Sequence, residues 1–568
     1  MRYIIILAIF CLVTTSAFGE VESWNSLNMN AVQLVQEGQH AQAIAEATRA
    51  LELARKEFGP RHENVIAVLS TLGSIYESLG DYKEAEAILR RVVALQTVSV
   101  GEKVDEEDYR DISHSLRDLA RVYELDQKYA EAEKVLRRAI KIQDKIKTDN
   151  TAVIARDLTK LIKLCELQQK YKAMEPVYKR LLAIVEKAHG KEHADLAPVL
   201  HSLSNLYLTQ KRYTEAEPYL TRLLAIDKRT LGKNHEDVAD DLYKLAIIYS
   251  VHARYDEAEV ALKRAIGINE KTLDPDSPVL LQNINALATL YSDQKRYAQS
   301  EPILLQALEI NERVLGKNNP GVATALNNLA TSYFYQNKYE EAEELLIRAL
   351  AIDEDAFGEH NADVAADLNS LATLYSFQGR YDEAEPYLKR ALEINEELLG
   401  PDDPSIATSL NNLATIYSHQ KKCVKAEKLL LRALAIDEAA LGKNHPDVAA
   451  DLSNLAMNYS FQGKYDKAET LLRRALEITE NSLGKNHQSV AMYLNNLATI
   501  YSSQGQYFKA EPLYKRSLEI TEGRYGRMDP NFEIISSNMS DLYKKTGKPE
   551  EAERLKKQSS LGGVVPAQ

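Results

Sequence analysis

Cysteine is almost missing from this 568-residue chain, which carries only Cys11, Cys165 and Cys423. The last two stand far apart, in separate units of the pattern described below. They cannot pair within one chain, and both read as buried apolar substitutes. Long apolar runs are equally scarce. After Ile4 to Val13, no stretch approaches the roughly 20 residues needed to cross a bilayer. An excess of basic residues is lacking too. The net charge is -13 and is spread along the chain, which argues against wholesale nucleic-acid binding. There is no phosphate-cradling glycine loop, no His-Glu-x-x-His, and no Cys or Ser with a His to serve as its base. These absences describe a chain that is not an enzyme and calls for no cofactor and no metal.

Tyrosine is abundant, 31 against 9 phenylalanines, and it is periodic. Tyr207, Tyr249, Tyr291, Tyr333, Tyr375, Tyr417, Tyr459, Tyr501 and Tyr543 follow one another at intervals of 42 residues. A fixed period of that size marks a stacked repeat array. Counting back gives Cys165 and Tyr123; Tyr76 lies 47 residues before Tyr123, and Leu34 lies 42 before Tyr76. Thirteen units therefore occupy about residues 22 to 560, with five extra residues near Gln96 to Asp108 that predict a longer link and a local irregularity. Within a unit, Leu410, Leu413, Ala414 and Tyr417 make one buried helical stripe. Small residues three before the Tyr (Ala372, Ala414) and nine after it (Ala384, Ala426) mark where two helices cross closely. The Leu four before the Tyr fills the space between neighbouring hairpins. One hairpin cannot bury both of its faces, so the units must stack.

Leu371-Ala372-x-x-Tyr375, then Gly379-x-Tyr381-x-x-Ala384, then Ala391 resembles the tetratricopeptide repeat, lengthened here by a longer second helix and link. Asn411-Asn412-Leu413-Ala414, Ala426-Glu427 and Leu441-Gly442-Lys443-Asn444-His445-Pro446 are most similar to the long units of kinesin light chains and their bacterial relatives. The resemblance implies an all-α, right-handed superhelical solenoid of about thirteen stacked hairpins. It also implies an inner wall lined by first helices and used to bind proteins or peptides. Kinesin light chains carry a heptad coiled coil ahead of their repeats and this chain does not, so a motor role does not carry over.

Four segments are expected. Residues 1–19 read as a secretory signal: Arg2, the apolar run Ile4 to Val13, then a small-residue exit at Ala17-Phe18-Gly19. Residues 20–100 hold units one and two, residues 101–558 hold units three to thirteen, and residues 559–568 form a disordered tail. The signal places the protein in a bacterial periplasm or outside the cell. The link between units holds His193, His235, His445 and His487 at one repeat position, which other units fill with Ser277, Asn319, Asn361, Asp403 and Asp529. Pro follows at 278, 320, 404, 446 and 530, so this is the cap-then-Pro opening of a helix and not a ladder of metal ligands. Glu-Pro pairs such as Glu385-Pro386 are tolerable where the Pro falls in a first helical turn.

Candidate binding residues lie on the first helices. Five before the Tyr stand Asn328, Ser370, Asn412, Asn454, Asn496 and Asn538, a recurrence that asks for a reason because Asn is a poor helix former. A carboxamide donates and accepts, so it can clamp the backbone of an extended peptide of any sequence. In peptide-binding members of the family that this chain resembles, Asn at this position has that role. Tyr335, Phe377, His419 and Phe461, two after the Tyr, add apolar and stacking contacts. The alternative is that these Asn bond between adjacent first helices and the aromatics pack at helix ends. Arg117 and Arg121, with Arg156, Lys160 and Lys163, sit on single helical faces and suggest a basic patch for a carboxylate or acidic peptide; the alternative is a solvated charged face. Two other functional readings stay open: self-association through array edges or ends, and a cytoplasmic regulator whose N-terminus is not a signal.

Overall fold

The computed structural model describes residues 23–99, 104–527 and 529–560. The expected signal, Gly101 of the insertion and residues 561–568 of the expected tail lie outside these. The described residues form 26 α-helices and one 3-10 turn, Ala194–Leu196, with no strand. They divide into two compact units, one running to Thr272 and one starting at Leu273. The first holds six hairpins, from Trp24–Gln36 with His40–Phe58 to Glu236–Val251 with Tyr255–Thr272. The second holds seven, from Pro278–Asp293 with Tyr297–Leu315 to Pro530–Lys545 with Pro549–Ser560. Thirteen hairpins is the number that the 42-residue period requires.

Most first helices start where cap chemistry dictates. Asp403 Oδ1 accepts from the Ser405 N–H at 2.9 Å, and Asn319 Oδ1 from the Gly321 N–H at 2.9 Å, with Pro404 and Pro320 in the first helical position. The histidines do the same with Nδ1: His193, His235, His445 and His487 accept from the N–H two residues on, at 3.2–3.3 Å. The turn inside each hairpin needs one left-handed residue. Gly379 supplies it at φ 74°, but Lys421 and Ala253 sit there at φ 61° and 56°, where a Cβ is unfavourable. One expectation needs correcting. Pro386 is the sixth residue of Tyr381–Leu399, so it falls in the second turn and deprives the Asp382 carbonyl of its helical donor.

The crossing is as tight as the small residues require, with Ala372, Ala384, Ala414 and Ala426 all fully buried. Leu371 and Leu413 beside them are buried as well. Removing such a side chain leaves a cavity that costs about 2–5 kcal/mol. Cys165 is buried in the first-Tyr position, whereas Cys423, at a helix start, is only half-buried.

Neighbouring hairpins are also clasped by a polar arrangement that the sequence does not announce. Glu343 Oε1 accepts from the Tyr375 hydroxyl at 2.8 Å, and Glu343 Oε2 from Arg380 Nη1 at 2.7 Å. The same guanidinium lies 4.3 Å from the Tyr375 ring centroid. Glu175, Tyr207 and Arg212 repeat the clasp, as do Glu427, Tyr459 and Lys464. Arg212, followed by Lys179, pulls the Glu175 carboxyl down to about 2. The cations stay about a third exposed, so solvent screening keeps each clasp weak.

Candidate peptide-binding surface

The buried Leu and Tyr stripe decides which first-helix positions look outward. In the second unit, Asn328, Ser370, Asn412 and Asn454 are exposed, as are Thr331, Thr373 and Thr415 three residues further on. The threonine hydroxyls are spent on their own helix, at 2.8–2.9 Å from the carbonyls of Asn327, Asn369 and Asn411. Asn328, Asn412 and Asn454 have no side-chain partner among the described residues. Asn496 and Asn538 differ. They are half-buried and donate to Ser453 Oγ (3.3 Å) and Asn495 Oδ1 (3.0 Å) on the preceding first helix. The Asn ladder therefore splits: its first part is free to meet a guest, and its last two rungs tie first helices together.

The aromatics divide similarly. Tyr335 stacks on Tyr297 with centroids 4.6 Å apart, Phe377 meets Phe334 edge-on at 5.0 Å, and His419 stacks on Tyr381 at 4.6 Å. These are contacts at helix ends, yet Tyr335, Phe377 and Phe461 keep more than half their surface in solvent. Between Pro320–Tyr335 and Ala362–Phe377 lies a cavity of about 240 Å³, lined by Thr331, Phe334, Tyr335, Leu346, Ser370 and Thr373. It has an apolar floor and a rim of hydroxyls.

One residue before Asn328 and Asn412 the chemistry is different. Asn327 Nδ2 donates to Asp367 Oδ1 on the next first helix at 2.5 Å, and Asn411 does the same to Asp451. Asp353 and Asp437, on the intervening second helices, hydrogen-bond to those buried carboxyls. Burial, then the neighbouring Asp353, pushes Asp367 up to about 7. Sequence reasoning missed it, although an Asp recurring inside a buried stripe was the available signal.

That seam also corrects the basic patch. Arg117 occupies the position of Asn411; it is largely buried and lies 3.7 Å from the buried Asp157. Arg121 Nε is 2.6 Å from Glu77 and its Nη2 is 3.3 Å from Asp118, while Lys163 is 3.1 Å from Glu124. Only Arg156 and Lys160 remain exposed without an ion-pair partner among the described residues. Three of the five cations are thus matched from within the protein.

Comparison with known proteins follows the same lines. Tetratricopeptide repeat models match residues 24–97, 154–229, 195–271, 280–355, 363–439, 405–481, 447–523 and 489–560, and a second such model matches 70–145. No curated protein matches the chain. Among solved structures, the nearly identical TPR-like repeats of a Podosopora anserina putative kinesin light chain are 25% identical, covering 37% of this chain and 97% of that one, with a TM-score of 0.34. BtubC (BKLC) from P. vanneervenii is 24% identical, covering 42% and 94%, with a TM-score of 0.33. With repeat matches running from Trp24 to Ser560 on a scaffold of thirteen helical hairpins, the chain belongs to the tetratricopeptide repeat family.

Proposed function

We propose that the uncharged first-helix face of the second unit binds extended segments or helices of partner proteins, making the chain a non-enzymatic scaffold. The family generally serves protein–protein interaction. The observation that carries the finer reading is that Asn328, Asn412 and Asn454 hold exposed carboxamides with no partner, at one repeat position. A buried or bonded Asn earns its place structurally; these three do not. The half-exposed rings of Tyr335 and Phe377 beside the cavity supply apolar contact for a guest's side chains, with Thr331 and Ser370 on its rim.

The test is to select binding peptides from a random display library on the full chain, then titrate them against a variant with Asn328, Asn412 and Asn454 all changed to Ala. Binding should weaken at least about tenfold, about 1.4 kcal/mol, with the melting temperature unchanged. Full binding by the variant would move the site off this face. Export to the periplasm or beyond is part of the proposal and rests on the residue pattern of positions 1–19. Fractionating native cells and sequencing the mature N-terminus tests it, and a cytoplasmic chain still starting at Met1 would refute it.

A further inference from the structure

The buried seam has one joint where the array departs from itself. In the second unit the seam is built from Asn327 or Asn411, from Asp367 or Asp451 on the next first helix, and from Asp353 or Asp437 between them. Stepping back by multiples of 42 residues places His201, Asp241 and Asp227 at those positions in the first unit. The residue before the buried Asp is Ala366 or Ala450 in the second unit and Asp240 here. An amide and a methyl have become an imidazole and a carboxylate.

The four side chains converge. One ligand-capable atom from each of His201, Asp240 and Asp241 lies within 4.8 Å of the other two. Asp241 is 1% exposed, and its Oδ2 has no hydrogen-bond partner. Leaving a buried acceptor unmatched is costly; Asp367 and Asp451 have the same unmatched Oδ2, but only at this joint do an imidazole and a second carboxylate stand within 4.8 Å of the carboxyl among the described residues. Asp227, buried on Tyr213–Thr230, hydrogen-bonds to Asp241 and holds it in place. Asn205 Nδ2 braces the His201 ring, 2.8 Å from Nε2. His201 is exposed, so the cluster opens to solvent.

We propose that His201, Asp240 and Asp241 bind a divalent first-row transition cation, with Asp227 as the residue that positions Asp241. One imidazole and two carboxylates form a three-ligand set that leaves a coordination position for water. Zn²⁺ suits mixed nitrogen and oxygen donors, whereas Ca²⁺ and Mg²⁺ take six or more oxygens. A competitor is already present, because Lys244 Nζ lies 2.6 Å from Asp240 Oδ2 and must release it for the cation to enter. Lys244 occupies the position of Asn412 and Asn454. The exposed trio His189, His193 and Asp195 is a poorer site, since His193 Nδ1 is committed to capping its own helix.

The sibling repeats supply the test variants, because His201→Asn, Asp240→Ala and Lys244→Asn each install a residue that the same fold already carries elsewhere. Zn²⁺ is titrated calorimetrically into the full chain near pH 7, with melting temperatures recorded with and without the ion. One site is expected, with a rise in melting temperature on binding. His201→Asn and Asp240→Ala should each weaken binding by at least about tenfold, and Lys244→Asn should tighten it. If one variant folds poorly, the other still decides. No Zn²⁺ binding by the wild type, equal binding by both weakening variants, or loss of binding in His189→Ala instead would overturn the assignment.

Discussion

The two compact units share one backbone plan and differ in what their first helices turn outward. Where the second unit has Thr415, the first has Arg121 and Lys163; where it has Asn412, the first has Lys160 and Lys244; where it has Ala450, the first has Arg156 and Asp240. Most of those charges are matched inside the first unit, by Glu77, Asp118, Glu124 and Asp240. The named positions of the second unit need no matching because they are neutral. Buried positions are fixed by the requirement to stack, whereas outward ones are free to change chemistry without changing the fold. One scaffold can therefore carry a charged wall that is mostly paired within itself and a neutral wall that still has hydrogen bonds to give.

The sharpest check is on what the units have in common. Leu203→Ala in the first and Leu413→Ala in the second remove equivalent buried side chains and should each destabilise by about 2–5 kcal/mol in chemical denaturation. A much smaller loss in one unit would mean that the two do not share a packing scheme. Arg117→Ala comes next, at about 3 kcal/mol, because it leaves the fully buried Asp157 without its cation. Asn412→Ala, on the neutral face, should change stability by less than about 0.5 kcal/mol. Similar losses for the two would erase the contrast.

A third check uses pH. Asp367 faces Asn327, Asp353 and Asp363, and burial chiefly pushes it from 3.8 to about 7. The folded chain thus keeps a proton that an unfolded aspartic acid gives up near pH 3.8. The contribution is intact below that value and drains away as pH rises towards 7. Thermal melts at pH 5 and pH 8 should show the protein less stable at pH 8, by about 2–3 kcal/mol for this carboxyl. Asp367→Asn should flatten the difference; an unchanged slope would place its origin elsewhere. The smallest effect is expected at the turns. Lys421→Gly relieves a left-handed residue and should raise stability by about 0.5–1 kcal/mol, read as a small upward shift in melting temperature.

The sequence made the scaffold readable because its determinants are local and recur. The Tyr period, the paired alanines and the cap-Pro links each require a residue type at a fixed spacing. The surface was harder. Asn411 and Asn412 are adjacent, yet about 100° of helical rotation separates a seam from an open face. Spacing identified Asn412 as outward but gave Asn411 no role, and it assigned Arg117 to the wall although that residue shares Asn411's inward position. The clasps were invisible for another reason. Glu343 and Arg380 stand 37 residues apart, and only the folded stack brings them to 2.7 Å. Spacing alone also could not separate the bonded Asn496 and Asn538 from the free Asn454, since the partner that decides is a serine or asparagine on another helix.

The clasps also have a mechanical meaning. Each closes a single joint, so a pulled or bent array would act as springs in series, with strain gathering at the softest link. Gln506 stands where its siblings place Lys or Arg; it turns to Gln504, while Glu469 is left with Tyr501 and with Arg473 of its own helix. Compliance should gather there, between Tyr465–Leu483 and Gln488–Ser503.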